Sequence, residues 1–297
     1  MKSIQLYYAT CKNFGDALSP RLIENILGVP TECAPFHRAE LVAVGSVLFS
    51  GSGLFSEKYP ISSMQGIRSR LAQLEGMLVC PELKIWGSGF LAPRLVKNPM
   101  PRRRVALLAT RGKLTHEILK SQGVVKKGVR CAYGDPGLLY RDLLSAFPEK
   151  KYDVGLIPHM ADRVIGRYLE GILVGTGLRV KYIHVEDDPL SVLMQVAECE
   201  RVLSSSLHGC IVADSLGIPN RQMMVSWLGL GCEDFMFKFR DYYSAFGREP
   251  PAPVTLDELL STPLTVVNEM PNCVVTPDQI DEVSNKLRVA LKEGMPV

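Results

Sequence analysis

Arg201-Val202-Leu203-Ser204-Ser205-Ser206-Leu207-His208-Gly209-Cys210-Ile211-Val212-Ala213-Asp214-Ser215-Leu216-Gly217 is the stretch on which the fold turns. Its first three residues read as the apolar end of a strand. Three hydroxyls make a polar turn, and a helix-like apolar run follows until Gly217 stops it. Strand, polar turn and helix in so short a span form the unit of a parallel sheet with crossover helices. Free backbone N–H groups and the positive end of the helix dipole gather at the turn, which favours an anion. His208 in that turn can hold a phosphate or move a proton near neutral pH. A serine N-cap beside a packed histidine accounts for the same residues without any ligand.

The same unit recurs outward in both directions. Ile4 to Tyr8 reads as a first strand, Asn13-Phe14-Gly15-Asp16 as a turn and Ala17 to Leu27 as a helix. Strands follow at Leu41 to Gly45, Lys84 to Trp86 and Val105 to Ala109, and a helix runs from Arg111 to Gln122. The pattern restarts with a strand over Tyr152 to Ile157. A helix over Asp162 to Thr176, a strand over Arg179 to Ile183, a helix over Pro189 to Cys199 and a strand over Asn220 to Val225 continue it. A last helix fits Pro277 to Lys292. This alternation predicts an α/β chain of two doubly wound, Rossmann-like parallel-sheet domains, residues 1–148 and 149–297, facing a cleft. The second domain carries the terminal helix, and the hinge falls around Ala146 to Lys150. Ligands in such sheets sit beyond the carboxyl ends of the strands.

Composition narrows the function class. With 34 basic and 31 acidic residues among 297, the net charge of +3 argues against a dedicated nucleic-acid binder. Basic clusters at Arg102-Arg103-Arg104 and Lys126-Lys127 suit an anionic ligand or a membrane surface, or simply solvent. The eight cysteines form no CxxC pair, so a zinc site is not expected. No apolar run reaches the roughly 20 residues that span a bilayer, and the opening strand is no signal peptide. A soluble cytoplasmic protein with reduced thiols is the expectation.

Each strand-end motif has a chemical reading beside a structural one. Asp16 either caps a helix or orients and deprotonates a hydroxyl. The loops at Gly45, Gly51-Ser52-Gly53 and Gly87-Ser88-Gly89 let backbone approach a ligand, or make ordinary turns. Neither GxGxxG nor GxxxxGK[ST] occurs, which counts against dinucleotide and nucleoside-triphosphate chemistry. Arg111 opens a helix, where a cation does not help stability, so its fork is expected to bind carboxylate or phosphate. Tyr133-Gly134-Asp135-Pro136-Gly137 reads as a structural turn. His159, after Pro158, is a second candidate cleft histidine. In Phe235-Met236-Phe237-Lys238-Phe239-Arg240-Asp241-Tyr242-Tyr243 the aromatics read as core, Lys238 can reach an anion, and Asp241 or Tyr242 can meet a hydroxyl.

Taken in order, these motifs resemble the polysaccharide pyruvyltransferase family. The matching pieces are Asn13-Phe14-Gly15-Asp16, Ala43-Val44-Gly45-Ser46, Trp86-Gly87-Ser88-Gly89, Arg111-Gly112-Lys113-Leu114-Thr115, Gly134-Asp135-Pro136-Gly137, Pro158-His159 and Ser205-Ser206-Leu207-His208-Gly209. The last of these, with Lys238-Phe239-Arg240-Asp241-Tyr242-Tyr243, is similar to the bacterial exopolysaccharide branch. The resemblance implies a glycosyltransferase B-like fold. It also implies transfer of a pyruvyl group from phosphoenolpyruvate to two hydroxyls of one sugar, giving a cyclic ketal and phosphate. No cofactor is expected beside phosphoenolpyruvate as donor substrate, and no metal cluster is evident in the sequence. Asp16, Arg111 and His208 are the implied catalytic residues. Asn13, Gly15, Gly45, Ser88, His159, Ser205, Ser206, Leu207, Gly209 and Lys238 are the implied substrate-binding ones. Other branches carry Arg where Ser206 stands, which shifts the donor's anionic groups towards Arg111 and Lys238. His208 is expected to act as imidazolium acid and Asp16 as base. The implied acceptor is a polysaccharide or a lipid-linked oligosaccharide repeat unit, with peripheral association at the inner membrane face. A sugar-nucleotide glycosyltransferase of the same architecture and a non-catalytic carbohydrate-binding relative are the competing readings.

Overall fold

The computed structural model describes residues 3–10, 13–48, 64, 67–68, 71, 82–92, 104–125, 128–226 and 232–296. Gly51-Ser52-Gly53, Lys126-Lys127, Arg102 and Arg103 lie outside them. The strands β1 (Ile4–Tyr7), β2 (Thr31–Cys33), β3 (Leu41–Val42), β4 (Leu83–Trp86), β5 (Val105–Thr110) and β6 (Ala132–Tyr133) form one sheet in the order β2-β1-β3-β4-β5-β6. A second sheet of β7 (Val154–Ile157), β8 (Val180–Tyr182), β9 (Val202–Ser204), β10 (Asn220–Met224) and β11 (Val254–Thr255) runs β11-β10-β9-β7-β8. Every pairing within them is parallel, as the alternation requires.

The strand orders locate the functional end of each sheet. From β1 the chain moves outward to β2 and then returns to place β3 on the other side of β1. From β7 it moves to β8 and returns to place β9 on the other side of β7. The β1/β3 and β7/β9 gaps are therefore topological switch points, where loops diverge and leave a crevice. Asp16 follows β1, Gly45 follows β3, His159 follows β7 and the Ser205–His208 turn follows β9. All the strand-end candidates just named lie at one of the two switch points.

Helices cover the sheets: α1 (Phe14–Ala17), α2 (Ser19–Leu27), α3 (Lys113–Ser121), α4 (Arg163–Gly175), α5 (Pro189–Ala197), α6 (Leu207–Ser215), α7 (Cys232–Ser244), α8 (Leu256–Ser261), α9 (Pro263–Asn268) and α10 (Pro277–Gly294), with a 3-10 helix at Pro136–Leu143. The terminal helix does not stay with the second half, contrary to the division at 148/149. Ile280, Val283, Leu287 and Leu291 recur at helical spacing on one buried face of α10. That face packs on β4, β5 and β6, and the indole N–H of Trp86 donates to the Leu287 carbonyl at 2.9 Å. Arg288 and Arg141 reach across to Asp142 and Asp281 at the rim. Helix α7 likewise crosses to pack on α3 of the first half. One apolar core runs through Leu6, Leu139, Ile157, Ile211 and Leu287, so both sheets bury against the same interior.

Candidate active site

Asn13 caps α1, its side-chain oxygen accepting the Gly15 N–H at 3.1 Å. The Phe14 N–H donates to the Val185 carbonyl at 2.8 Å, and the Tyr140 hydroxyl donates to the Gly15 carbonyl. These three bonds fix the turn after β1, and the one to Val185 ties it to the second half of the chain. A Cβ on Gly15 would stand 2.1 Å from Nδ1 of His208, so only glycine lets the imidazole lie on this backbone. Gly45 has φ 104°, and a Cβ there would stand 2.1 Å from Oδ1 of Asp16. Asp16 thus lies on the β3 loop and His208 on the β1 turn. The two switch points meet through His208 on the Gly15 backbone, one residue from Asp16.

Burial sets the protonation of both groups. Asp16 is 6% exposed. Desolvation, reinforced by the nearby Asp135 charge and partly opposed by Lys238, raises its pKa from 3.8 to about 7. Desolvation and the cations Lys238 and Arg111 lower His208 to about 3. At neutral pH the imidazole is neutral, with Nε2 buried and bonded to nothing among the described residues, while Asp16 is protonated far more readily than an ordinary carboxyl. Both shifts run against an imidazolium acid paired with a carboxylate base. Burial is the main reason, and the nearby charges of Lys238 and Arg111 add to the cost of an imidazolium.

Lys238 is a second buried cation beside this pair. Burial, then Arg111, lowers its pKa to about 8. Its ammonium stands 5.4 and 5.3 Å from the ring centres of Phe235 and Phe239, and it makes no hydrogen bond or ion pair among the described residues.

Arg111, expected from its position to bind a ligand anion, has protein partners in the structure. It is fully buried, and all three guanidinium nitrogens are engaged. Nε donates to Asp241 Oδ2 at 2.9 Å, Nη1 to Ser46 Oγ at 2.7 Å and Nη2 to the Phe90 carbonyl at 2.6 Å. A Cβ on Gly89 would lie 2.5 Å from its Cζ, so the loop after β4 is moulded around it. Asp241 also accepts from the Thr115 N–H and hydroxyl at 2.9 and 2.6 Å. The fork is occupied by protein; Arg111 acts on the site through its charge and by locking α7, which carries Lys238, to the β5 end.

The remaining predicted binders divide the same way. Ser88 is buried and donates to the Gly45 carbonyl at 2.8 Å, clipping the β3 and β4 loops together. Ser204 bonds within its own turn and to the Ile157 carbonyl. Ser205 donates to Asp162 Oδ2 at 2.6 Å and accepts the His159 N–H at 2.9 Å. Leu207 is core, and a Cβ on Gly209 would strike Ser204 Oγ at 2.3 Å, so that glycine seats α6 on β9. Ser88, Ser205, Leu207 and Gly209 are thus engaged by the protein itself and shape the strand ends. Ser206 is the N-cap of α6 and makes no side-chain capping bond, and the first N–H groups of α6 have no intrahelical acceptor. His159 is half-buried, and its Nδ1 accepts the Ala161 N–H at 3.2 Å.

Sequence reasoning passed over two carboxylates. The sequence around Asp135 points to a structural turn. Asp135 does cap the 3-10 helix through the Gly137 N–H at 2.8 Å, but Oδ2 is buried with no partner among the described residues. Burial raises its pKa to about 6. Asp162 is 1% exposed and faces Ser205. The Asp-Pro dipeptide hides the first and a helix-start position hides the second. Among the described residues no group of three or more His, Cys, Asp or Glu is arranged to hold a metal, and no helix is long and apolar enough to cross a membrane.

Comparison with known proteins agrees with the family-level resemblance. Residues 83–221 match the family model described as polysaccharide pyruvyl transferase. An uncharacterized protein of Acanthamoeba polyphaga mimivirus is 37% identical over 142 residues, 47% of this chain and 47% of its own length, so the chain spans about half the length of the curated relative it matches. The crystal structure of a functionally uncharacterized protein from Klebsiella pneumoniae subsp. pneumoniae NTUH-K2044 aligns over 86% of this chain and 93% of its own, with TM-score 0.44 and 16% identity.

Proposed function

We propose, from the premise that residues 83–221 relate this chain to the polysaccharide pyruvyl transferases, that it is a transferase moving a pyruvyl group from phosphoenolpyruvate onto two hydroxyls of one sugar. The acceptor sugar belongs to a polysaccharide or its lipid-linked repeat unit, and the products are a cyclic ketal and phosphate. The observation that carries this reading is the contact between two switch points, which joins a protonatable carboxyl, a neutral imidazole with a free Nε2 and the N-terminus of α6.

The chemistry follows from those groups. The donor is an enol ester bearing a carboxylate and a phosphate. Lys238 and the N–H groups of α6 supply the positive potential that holds such an anion. Protonated Asp16 gives its proton to the methylene carbon of the donor, which becomes a methyl and leaves C2 electrophilic. A sugar hydroxyl attacks C2 while its proton passes to Nε2 of His208. The C–O bond to phosphate then breaks. The second hydroxyl closes the ring, and its proton restores the carboxyl. His208 passes the first proton to the departing phosphate, so two hydroxyl protons end on the methyl and the phosphate. A neutral acid and a neutral base suit a site that must accept a trianion, because neither has to be neutralised first. Each proton transfer of this kind contributes about 10²–10⁴ in rate.

The test is incubation of the purified chain with phosphoenolpyruvate and candidate glycan acceptors. The expected result is an acceptor mass gain of pyruvic acid less one water, with one phosphate released per ketal. Release of a nucleotide from a sugar nucleotide, with no change of glycan mass from phosphoenolpyruvate, overturns the reading in favour of a glycosyltransferase.

A further inference from the structure

Asp162 occupies the N-cap position of α4, where an aspartate ordinarily bonds the first helical N–H groups. It makes no capping bond. Both of its oxygens turn away from its own helix: Oδ2 accepts from Ser205 Oγ at 2.6 Å, and Oδ1 accepts from Ser226 Oγ. Ser205 Oγ in turn accepts the backbone N–H of His159 at 2.9 Å. His159 follows β7, Ser205 follows β9 and Ser226 follows β10, and these strands are neighbours in the order β10-β9-β7. One buried carboxylate therefore ties together the carboxyl ends of three adjacent strands, directly before the N-terminus of α6.

The same arrangement fixes a tautomer. Because Nδ1 of His159 accepts the Ala161 N–H, the ring proton of the neutral imidazole lies on Nε2, which is then a donor. Lys238 and Asp162 both act electrostatically on this ring. A carboxylate beside an anion site is repulsive unless its charge is absorbed. Here two hydroxyl donors and the Lys238 ammonium absorb it.

We propose that Asp162 is a positioning residue for donor binding: through Ser205 and Ser226 it holds the three strand ends so that the α6 N–H groups and His159 Nε2–H form one preorganised anion-binding wall. The proposal rests on the donor reading above. It assigns Asp162 no contact with the donor and no proton in the reaction. Its effect falls on KM for the donor, whereas loss of a group acting only in the transition state falls on kcat.

The experiment is calorimetric titration of the full chain with phosphoenolpyruvate and, separately, with inorganic phosphate. It is joined to steady-state kinetics and thermal melting for wild type, Asp162→Ala, Asp162→Asn, Ser205→Ala and the Asp162→Ala/Ser205→Ala double variant. Asp162→Ala is expected to weaken phosphoenolpyruvate binding and raise its KM about 10-fold, with kcat lowered less than about 3-fold. Asp162→Asn keeps an acceptor oxygen and is expected to recover most of the lost affinity. The double variant is expected to be no weaker than Asp162→Ala, because the two groups act as one unit. Additive losses, or a lowered melting temperature with unchanged affinity, overturn the proposal. Should wild type bind and Asp162→Ala bind equally well, the positioning role alone falls; should wild type bind neither ligand, the donor reading falls with it.

Discussion

Asp16 and His208 acquire their working states from neighbours far away in sequence. Burial raises the carboxyl to about 7, and the Asp135 charge adds to it; burial with Lys238 and Arg111 holds the imidazole near 3. A raised carboxyl is protonated below its pKa and ionised above, so an acid role for Asp16 predicts that kcat/KM for phosphoenolpyruvate falls above about pH 7. His208, ionising near 3, gives no matching loss down to about pH 5. Initial rates of phosphate release between pH 5 and 9 check this, and a profile that rises to pH 9 contradicts it. The residues themselves were legible in the sequence because polar groups after apolar runs mark strand ends. Their protonation was not, since it depends first on burial and then on charges brought in by Asp135, α7 and the β5 end. Arg111 shows the same limit: its place at a strand end was legible, but Asp241, which occupies its fork, stands 130 residues away.

Element by element, the strand–turn–helix unit around β9 and α6 was plain from composition, and α7 was not. Helix recognition depends on a polar face alternating with an apolar one. In α7 the run Phe235, Met236, Phe237, Lys238 and Phe239 is buried, as are Asp241, Tyr242 and Tyr243. No solvent face remains to give that stretch a period. The short strands β2, β6 and β11 escaped for a different reason, being two or three residues long at or near sheet edges. What holds α7 in place is the buried Arg111–Asp241 pair, with both side chains at 0% exposure. Removing one partner of such a pair strands the other charge, so Asp241→Ala is expected to cost about 3–5 kcal/mol in urea denaturation. Because Lys238 rides on the same helix, the variant is also expected to lose donor affinity. A stability change under about 1 kcal/mol would mean that water rescues the guanidinium and that the pair does not lock α7.

For the molecule as a whole, the alternation of strands and helices was enough to give two parallel sheets, but not the return of α10 and α7 to the first. Sequence position suggests that a terminal helix belongs to its own half, while the apolar face at Ile280, Val283, Leu287 and Leu291 decides otherwise by what it covers. A shared apolar core resists the domain movement expected of two lobes joined by a simple hinge. The chain is accordingly expected to unfold in a single transition, with calorimetric and van't Hoff enthalpies agreeing. Two resolved transitions would show that the halves are independent.

In the proposed reaction a carboxyl from the first half and an imidazole from the second act as one acid–base pair. Phosphate release from phosphoenolpyruvate with a productive glycan acceptor, measured for folded Asp16→Asn and His208→Gln against wild type, tests it most directly. The account predicts that each variant loses about 10²–10⁴ in turnover and that the double variant loses far less than the product of the two. Wild-type turnover in either folded single variant would contradict it.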